Sequence, residues 1–330
     1  MKIKRIKKLL IPEKVYDIEV EDNHNFFTNC GLVHNCHTAK AKTIRDFAIK
    51  SRFADIRLGV TGTLPSIEEV KRVEDRKEDN KFKKKDSETI QSFLYTIFGY
   101  VGPKIAEMKS KELMDRGVLS QMAVACIILK YPEEMVKKLK RSDYNTEIYE
   151  INRYPNRNRV FDLIFKKTPE TENTIVLCYL RDHLDMVYQH IQATWGHKFK
   201  VDLIHGDIKV QERLKICDVI EKEGVLFLVA SYGTLSTGIN IRRIHNVVFG
   251  SSYKAKIKVL QSIGRGLRLH ETKLKLVLYD VIDDLRWIKR GYTEGQPNCY
   301  GFNYVYEQFE YRMEYYISQG YEINQYILPI

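Results

Sequence analysis

No G-x-x-x-x-G-K-[ST] string occurs in the 330 residues, so the chain lacks the glycine-rich turn that cradles nucleotide phosphates. Its six cysteines (Cys30, Cys36, Cys126, Cys178, Cys217 and Cys299) include no C-x-x-C pair, which removes the common zinc and dithiol patterns. No apolar run reaches the roughly 18 to 20 residues that span a bilayer. The opening MKIKRIKKLL is basic, but LLIP is too short for the core of a signal peptide and no small-residue cleavage site follows. No internal repeat is present. These absences predict a cytosolic chain whose thiols, several of them in apolar runs such as VACIIL and IVLCYL, are reduced and buried.

Positive charge is in excess. Lys and Arg number 54 against 43 Asp and Glu, a net +11. Residues 1–35 hold six basic and five acidic side chains, so nearly all of the excess lies beyond them. Such a balance fits a polyanionic partner, most simply nucleic acid, or a basic surface with no special role. The length allows about two domains.

The pattern changes along the chain. Residues 15–33 alternate as short strands (VYDIEV, then FFTNCGLV after the turn EDNHN), 37–54 read as helix, and IRLGV at 56–60 reads as an apolar strand. Residues 66–88 mix both charges densely and predict a solvated insertion, followed by a helix near 88–98. From about 122, the apolar strands MAVACIILK, NTIVLCY, KVDLIHG, VLFLVAS, HNVVFGS and KLVLYDVI follow one another. Helical segments lie near 156–167, 182–195, 209–223 and 256–269. Continuous apolar strands alternating with helices predict a parallel sheet covered on both faces, with ligands beyond the carboxyl ends of its strands. The tail 300–326 reads as a helix with an aromatic face of Phe302, Tyr306, Phe309, Met313 and Tyr316, suited to packing or to base stacking.

A change of pattern falls at His34-Asn35-Cys36, where three reactive side chains adjoin. Alone, the tripeptide reads equally as a turn with a buried thiol. With Asp17 in VYDIEV and His24 in NHNF, residues 15–36 resemble the C-terminal end of inteins, the self-excising protein elements. The residue types suit that reaction. Cys36 supplies a thiolate nucleophile. The Asn35 amide can close onto its own backbone carbonyl, and positioning supplies most of the rate. His34 can donate a proton to the departing amine. The resemblance implies that His24 assists cyclisation and Asp17 the acyl-transfer steps. Met1 precedes Asn35 by so few residues that the segment resembles the C-terminal piece of a split intein, whose first nucleophile lies on a partner chain. Cys30 has no assigned role.

Beyond the seam, Cys36-His37, Thr61-Gly62-Thr63, His205-Gly206-Asp207, SYGTLSTGINI and QSIGRGLR stand in an order that resembles the C-terminal portion of superfamily 2 helicases of the DECH-box type, from Cys36 nearly to the end. Cys36-His37 matches the second half of that box, and Thr61-Gly62-Thr63 the motif that couples nucleotide state to nucleic acid. His205-Gly206-Asp207 with Arg213 matches a helicase segment, although a loop with no ligand role reads equally well. SYGTLSTGINI supplies Thr234, Thr237, Gly238 and Asn240, and QSIGRGLR supplies Gln261, Gly264, Arg265 and Arg268. A lone GR..R would be an ordinary basic helix; here four other matches stand in order. Arg265 and Arg268, three residues apart, share a helical face, and guanidinium is suited to charge on a γ-phosphate.

The resemblances imply an α/β architecture. An all-β intein (Hint-fold) fragment at 1–35 precedes the end of a first RecA-like domain at 36–121, and a complete second RecA-like domain fills 122–330. They imply a helicase or translocase that uses ATP and Mg2+, held mainly by a separate N-terminal half, with no metal ligand in this chain. It would act on DNA or RNA, without a membrane, in the cytoplasm of a bacterial host if phage-encoded. Two alternatives are a nucleic-acid-binding module that never splices and a restriction-enzyme motor; a compact C-terminus speaks against the second.

Overall fold

The computed structural model describes residues 108–330, apart from 223–224, 236–241, 253–263, 265–266, 268, 272 and 274, together with strands at 25–28, 31–35 and 57–60. The chain forms two compact units, Met1–Glu107 and Met108–Ile330. The expected helices at 37–54, 88–98 and 256–269 and the insertion at 66–88 lie outside the described residues, apart from a few isolated positions near 264–269.

In the first unit, β1 (Asn25–Thr28) and β2 (Gly31–Asn35) pair antiparallel, Thr28 opposite Gly31. The single strand expected over FFTNCGLV is therefore two. Asn29 and Gly31 are turn-forming residue types, and they interrupt the apolar run. Strand β3 (Arg57–Val60) lies parallel to β2, with Asn35 opposite Val60.

The second unit is built on a seven-stranded sheet. Its strands are β4 (Gln121–Lys130), β5 (Thr174–Cys178), β6 (Lys200–Ile204), β7 (Leu226–Ser231), β8 (Asn246–Phe249), β9 (Lys275–Asp284) and β10 (Glu322–Pro329), in the order β10-β4-β9-β8-β5-β7-β6. Every pairing is parallel, so all the carboxyl ends lie along one edge. The apolar runs are continuous because both faces are covered. Along β5, Ile175 and Leu177 enter one core cluster, while Val176 and Cys178 enter the other. Along β7, Leu228 and Ala230 alternate in the same way with Phe227 and Val229. Cys126, Cys178, Cys217 and Cys299 are buried free thiols, as the apolar context of Cys126 and Cys178 predicts.

Helix α1 (Ser110–Asp115) precedes β4. Between β4 and β5 lie α2 (Glu133–Leu139), α3 (Tyr144–Arg153), a short 3-10 turn and α4 (Arg159–Lys167). The sequence reading anticipated only α4 with the turn that leads into it. The start of α3 is fixed by Asp143, whose carboxylate accepts from the backbone N–H groups of Asn145 (2.9 Å) and Thr146 (3.2 Å). Helix α5 (Arg181–Trp195) joins β5 to β6 and α6 (Val210–Lys222) joins β6 to β7. The short α7 (Tyr232–Leu235) follows β7, and α8 (Tyr304–Gln319) precedes β10.

The tail departs from the single helix expected over 300–326. Helix α8 ends at Gln319, Gly320 adopts φ +71°, and residues 322–329 pair with β4 from Glu322 opposite Ala123 to Pro329 opposite Lys130. Left-handed φ favours glycine, which makes Gly320 the stop signal between the two aromatic stretches. Phe309 and Tyr316 are buried as the aromatic face predicts, but Phe302 precedes the helix and is 45% exposed. Arg312 and Tyr316, four apart on α8, both bond Asp280 at the centre of β9. Arg312 Nε and Nη2 donate at 2.8 and 2.9 Å, and the Tyr316 hydroxyl donates at 2.9 Å. Among the described residues no helix is long and apolar enough to cross a membrane.

Candidate nucleotide and nucleic-acid edge

The carboxyl ends of the parallel strands carry most of the motif residues that can be described. Beyond β6, His205, Gly206 and Asp207 form a turn in which the Asp207 N–H donates to His205 Nδ1 at 3.3 Å. Arg181, at the start of α5 beyond β5, reaches the same turn. Its Nη1 donates to Asp207 Oδ2 at 3.2 Å, and its Nε donates to Asp185 Oδ2 at 2.8 Å. Arg213 folds back, its Nε donating to the Ile208 carbonyl at 2.9 Å. The structure thus brings His205, Asp207 and Arg181 together and uses Arg213 to hold the turn.

Beyond β7, Thr234 is buried, and its hydroxyl lies 2.6 Å from that of Ser231. That contact ties the strand end to α7. Thr237, Gly238, Asn240, Gln261, Arg265 and Arg268 lie outside the described residues, and Gly264 is exposed. Between the two arginines, Leu267 is buried and its carbonyl accepts the Ser120 N–H at 2.9 Å, anchoring that segment beside the entry to β4.

In the first unit, Asp17, His24, Cys36, His37 and Thr61-Gly62-Thr63 lie outside the described residues. His34 and Asn35 end β2, and the adjacent parallel β3 ends at Val60. In sequence, Cys36-His37 follows the end of β2 and Thr61-Gly62-Thr63 follows the end of the parallel β3.

A buried polar network behind the edge of the second unit escaped the sequence reading. The Asp283 carboxylate accepts from Arg157 Nε (2.8 Å), Arg157 Nη2 (3.0 Å) and the Tyr131 hydroxyl (2.7 Å). Arg157 Nη1 stands 3.3 Å from His183 Nε2, and His183 Nδ1 lies 2.7 Å from Ser251 Oγ. A guanidinium only donates, so Nε2 accepts and Nδ1 carries the proton donated to Ser251. Burial first, and then the Arg157 charge, hold His183 well below its ordinary value, so it stays neutral. Ser251 Oγ also accepts the Tyr179 N–H at 3.2 Å. The network fixes the ends of β4, β5, β8 and β9 relative to one another. Its signal in sequence is three aspartates, Asp280, Asp283 and Asp284, in the otherwise apolar run of β9, since carboxylates on a covered strand need partners. Among the described residues no group of three or more His, Cys, Asp or Glu could hold a metal ion.

The family model for the helicase conserved C-terminal domain matches residues 156–270. The chain is 28% identical over 267 residues to the ATP-dependent DNA helicase UvsW of Enterobacteria phage T4, covering 80% of this chain and 48% of that protein. The crystal structure of T4 UvsW superposes with a TM-score of 0.55 at 28% identity, over 64% of this chain and 42% of that one. A fragment of a putative HsdR subunit of a type I restriction enzyme from Vibrio vulnificus shares the fold, with a TM-score of 0.51 at 18% identity, over 82% and 44% of the two chains. The chain spans about half the length of UvsW. The parallel sheet, the match over residues 156–270 and the likeness to UvsW together support the C-terminal half of a superfamily 2 helicase.

Proposed function

We propose that this chain is the C-terminal precursor half of an ATP-dependent DNA helicase or translocase, joined to a separate N-terminal half by protein splicing at Asn35 and Cys36. The observation that carries it is the seam itself: intein-type residues Asp17, His24, His34 and Asn35 end where a helicase-type sequence begins at Cys36-His37. In the precursor, β2, which splicing would remove, pairs parallel with β3 on the other side of the seam, Asn35 opposite Val60.

Splicing follows from the side chains. The Cys36 thiolate attacks a thioester on the partner's junction, forming a branched chain and expelling the partner's own thiol. The Asn35 side-chain nitrogen then attacks the Asn35 carbonyl carbon. A succinimide forms, the Asn35–Cys36 peptide bond breaks, and the Cys36 amine leaves with a proton that His34 can supply. That amine attacks the adjacent thioester and leaves a peptide bond. The residue required directly before Cys36 is then the last of the partner's host segment, which should end in Asp-Glu to complete the D-E-C-H box. ATP with its magnesium ion would supply the transferable phosphoryl group, bound mainly by that N-terminal half. Arg265 and Arg268 of this chain would neutralise charge on the γ-phosphate, with Gln261, Gly264, Gly238 and Asn240 lining the same site and His37 completing the box. Thr61, Gly62, Thr63, Thr234 and Thr237 would couple it to the nucleic acid. Arg181, beside Asp207, is one further basic group on that edge.

The test is incubation with a reporter protein ending in Asp-Glu and fused to an N-terminal split-intein segment. The expected product has the reporter joined to residues 36–330, with release of a residue 1–35 fragment, by mass spectrometry. Asn35→Ala should accumulate the branched species, and Cys36→Ala should give no ligation. Normal ligation by either variant would remove the splicing mechanism. A chain that binds DNA but ligates with no N-terminal intein segment would be the non-splicing module.

A further inference from the structure

Residues 139–147 and 287–304 enclose a cleft of about 230 Å³ at the carboxyl ends of β4 and β9. Because the whole sheet is parallel, the cleft lies on the same edge as His205, Asp207 and Arg181. Three of its seven lining residues, Trp287, Phe302 and Tyr304, are aromatic. Phe302 meets Tyr304 edge to face at 4.6 Å yet stays 45% exposed. The Trp287 ring is held from behind by the Gly301 backbone, where any Cβ would collide with it, and the Gly301 N–H donates to the Trp287 carbonyl at 2.7 Å. Lys140 Nζ stands 5.3 Å from the Trp287 ring centre, and Arg141 lines the opening with φ +65°.

Two polar groups separate this cleft from an ordinary apolar dimple. The Glu147 carboxylate is already committed, accepting from Asn303 Nδ2 (2.6 Å) and from the N–H groups of Val305 (2.9 Å) and Tyr304 (3.3 Å) at the start of α8. Ser142 Oγ, also in the lining, is buried without a hydrogen-bond partner. Such an atom is costly to leave unmatched and marks a place for a ligand's polar edge.

We propose that the cleft takes one unstacked base of a single-stranded nucleic acid. Phe302 is the stacking face, Ser142 Oγ meets the polar edge of the base, and Lys140 and Arg141 face the flanking phosphates. A lipid tail would leave Ser142 Oγ unmatched, whereas every base carries both a π-face and hydrogen-bonding edges. The positive excess of the chain favours the polyanion. This inference rests on the reading of the chain as half of a nucleic-acid translocase.

The sequence has two tryptophans. Trp195 lies in the core with Nε1 donating to Asp162 at 2.8 Å, so Trp195→Phe leaves Trp287 as the one reporter. The full chain is titrated with oligothymidylate, with an abasic strand of equal length and with thymidine monophosphate. Anisotropy of labelled strands on the tryptophan-intact protein serves if Trp195→Phe fails to fold. The expected result is quenching of Trp287 by oligothymidylate and not by the abasic strand. Phe302→Ala should weaken oligothymidylate binding roughly 5- to 100-fold, the range of one base–aromatic stack, and leave abasic affinity unchanged. Strand binding with neither signal would overturn the cleft and leave the nucleic-acid reading standing. Quenching by the free nucleotide alone would also overturn it, and absence of any strand binding at low salt would overturn both.

Discussion

Alanine at Arg268 is expected to leave ligation intact and to lower ATP turnover of the ligated product by roughly a thousandfold or more, the cost of losing an arginine finger in phosphoryl transfer. Ligation chemistry uses His34, Asn35 and Cys36, far along the chain from QSIGRGLR, so the two activities separate by mutation. The effect is large because the γ-phosphate gathers charge in the transition state, and guanidinium meets it with paired donors at any physiological pH. Lysine should restore little, since a point charge cannot reproduce the planar fork. Arg265→Ala should behave alike if both arginines reach the phosphate. The measurement is phosphate release by the ligated protein with single-stranded DNA, beside the unligated chain. Full turnover in Arg268→Ala, or turnover by this chain alone, would remove the assignment.

Arg157→Ala should destabilise the second unit by about 3–5 kcal/mol, since it leaves a buried carboxylate without its charge partner. Arg157 and Asp283 are each 1% exposed, and after the substitution Asp283 would retain only the Tyr131 hydroxyl among the donors described above. Replacing the pair together, Arg157→Met with Asp283→Leu, should recover much of the loss, because apolar side chains avoid the desolvation that the ions incur. Denaturant midpoints for both single variants and the double variant complete the cycle. A loss below about 1 kcal/mol for Arg157→Ala would mean that the site is wet in solution, and that His183 and Ser251 are held by packing rather than by charge.

Much of the second unit could be read directly from residue order. Strands β4 to β9 are apolar runs that a sheet covered on both faces requires, and Thr174–Cys178 has no exposed residue to break the pattern. Strand β10 was hidden because EINQYILP continues the aromatic spacing of α8; only Gly320 marks the change, through its positive φ. The motif strings can be picked out of the sequence because each is local. What they do in the fold is less legible. Thr234 turns its hydroxyl to Ser231, and Arg213 is occupied by the Ile208 carbonyl. The network joining Arg157 to Asp283 spans 126 positions, and the bond from His183 to Ser251 spans 68. Such pairings depend on strand order, which no local spacing encodes. The cleft at Ser142 and Phe302 is assembled from two distant loops for the same reason.

Strand order also sets a timetable. Strands β5, β6 and β7 follow one another through the single helices α5 and α6, and β7 pairs with both β5 and β6. Strand β4 has no such neighbour. Its partners are β9 and β10, and the ion pair between Lys130 and Asp284 closes a separation of 154 residues. Closing so long a loop costs entropy before any contact rewards it. Refolding should therefore begin around β5, β7 and β6 and finish with β4, and pulse-labelled amides of Val124 and Ile128 should gain protection after those of Val176 and Val229. Until then QMAVACIILK stands with both edges open, which makes the interval before β9 and β10 arrive the period of greatest aggregation risk.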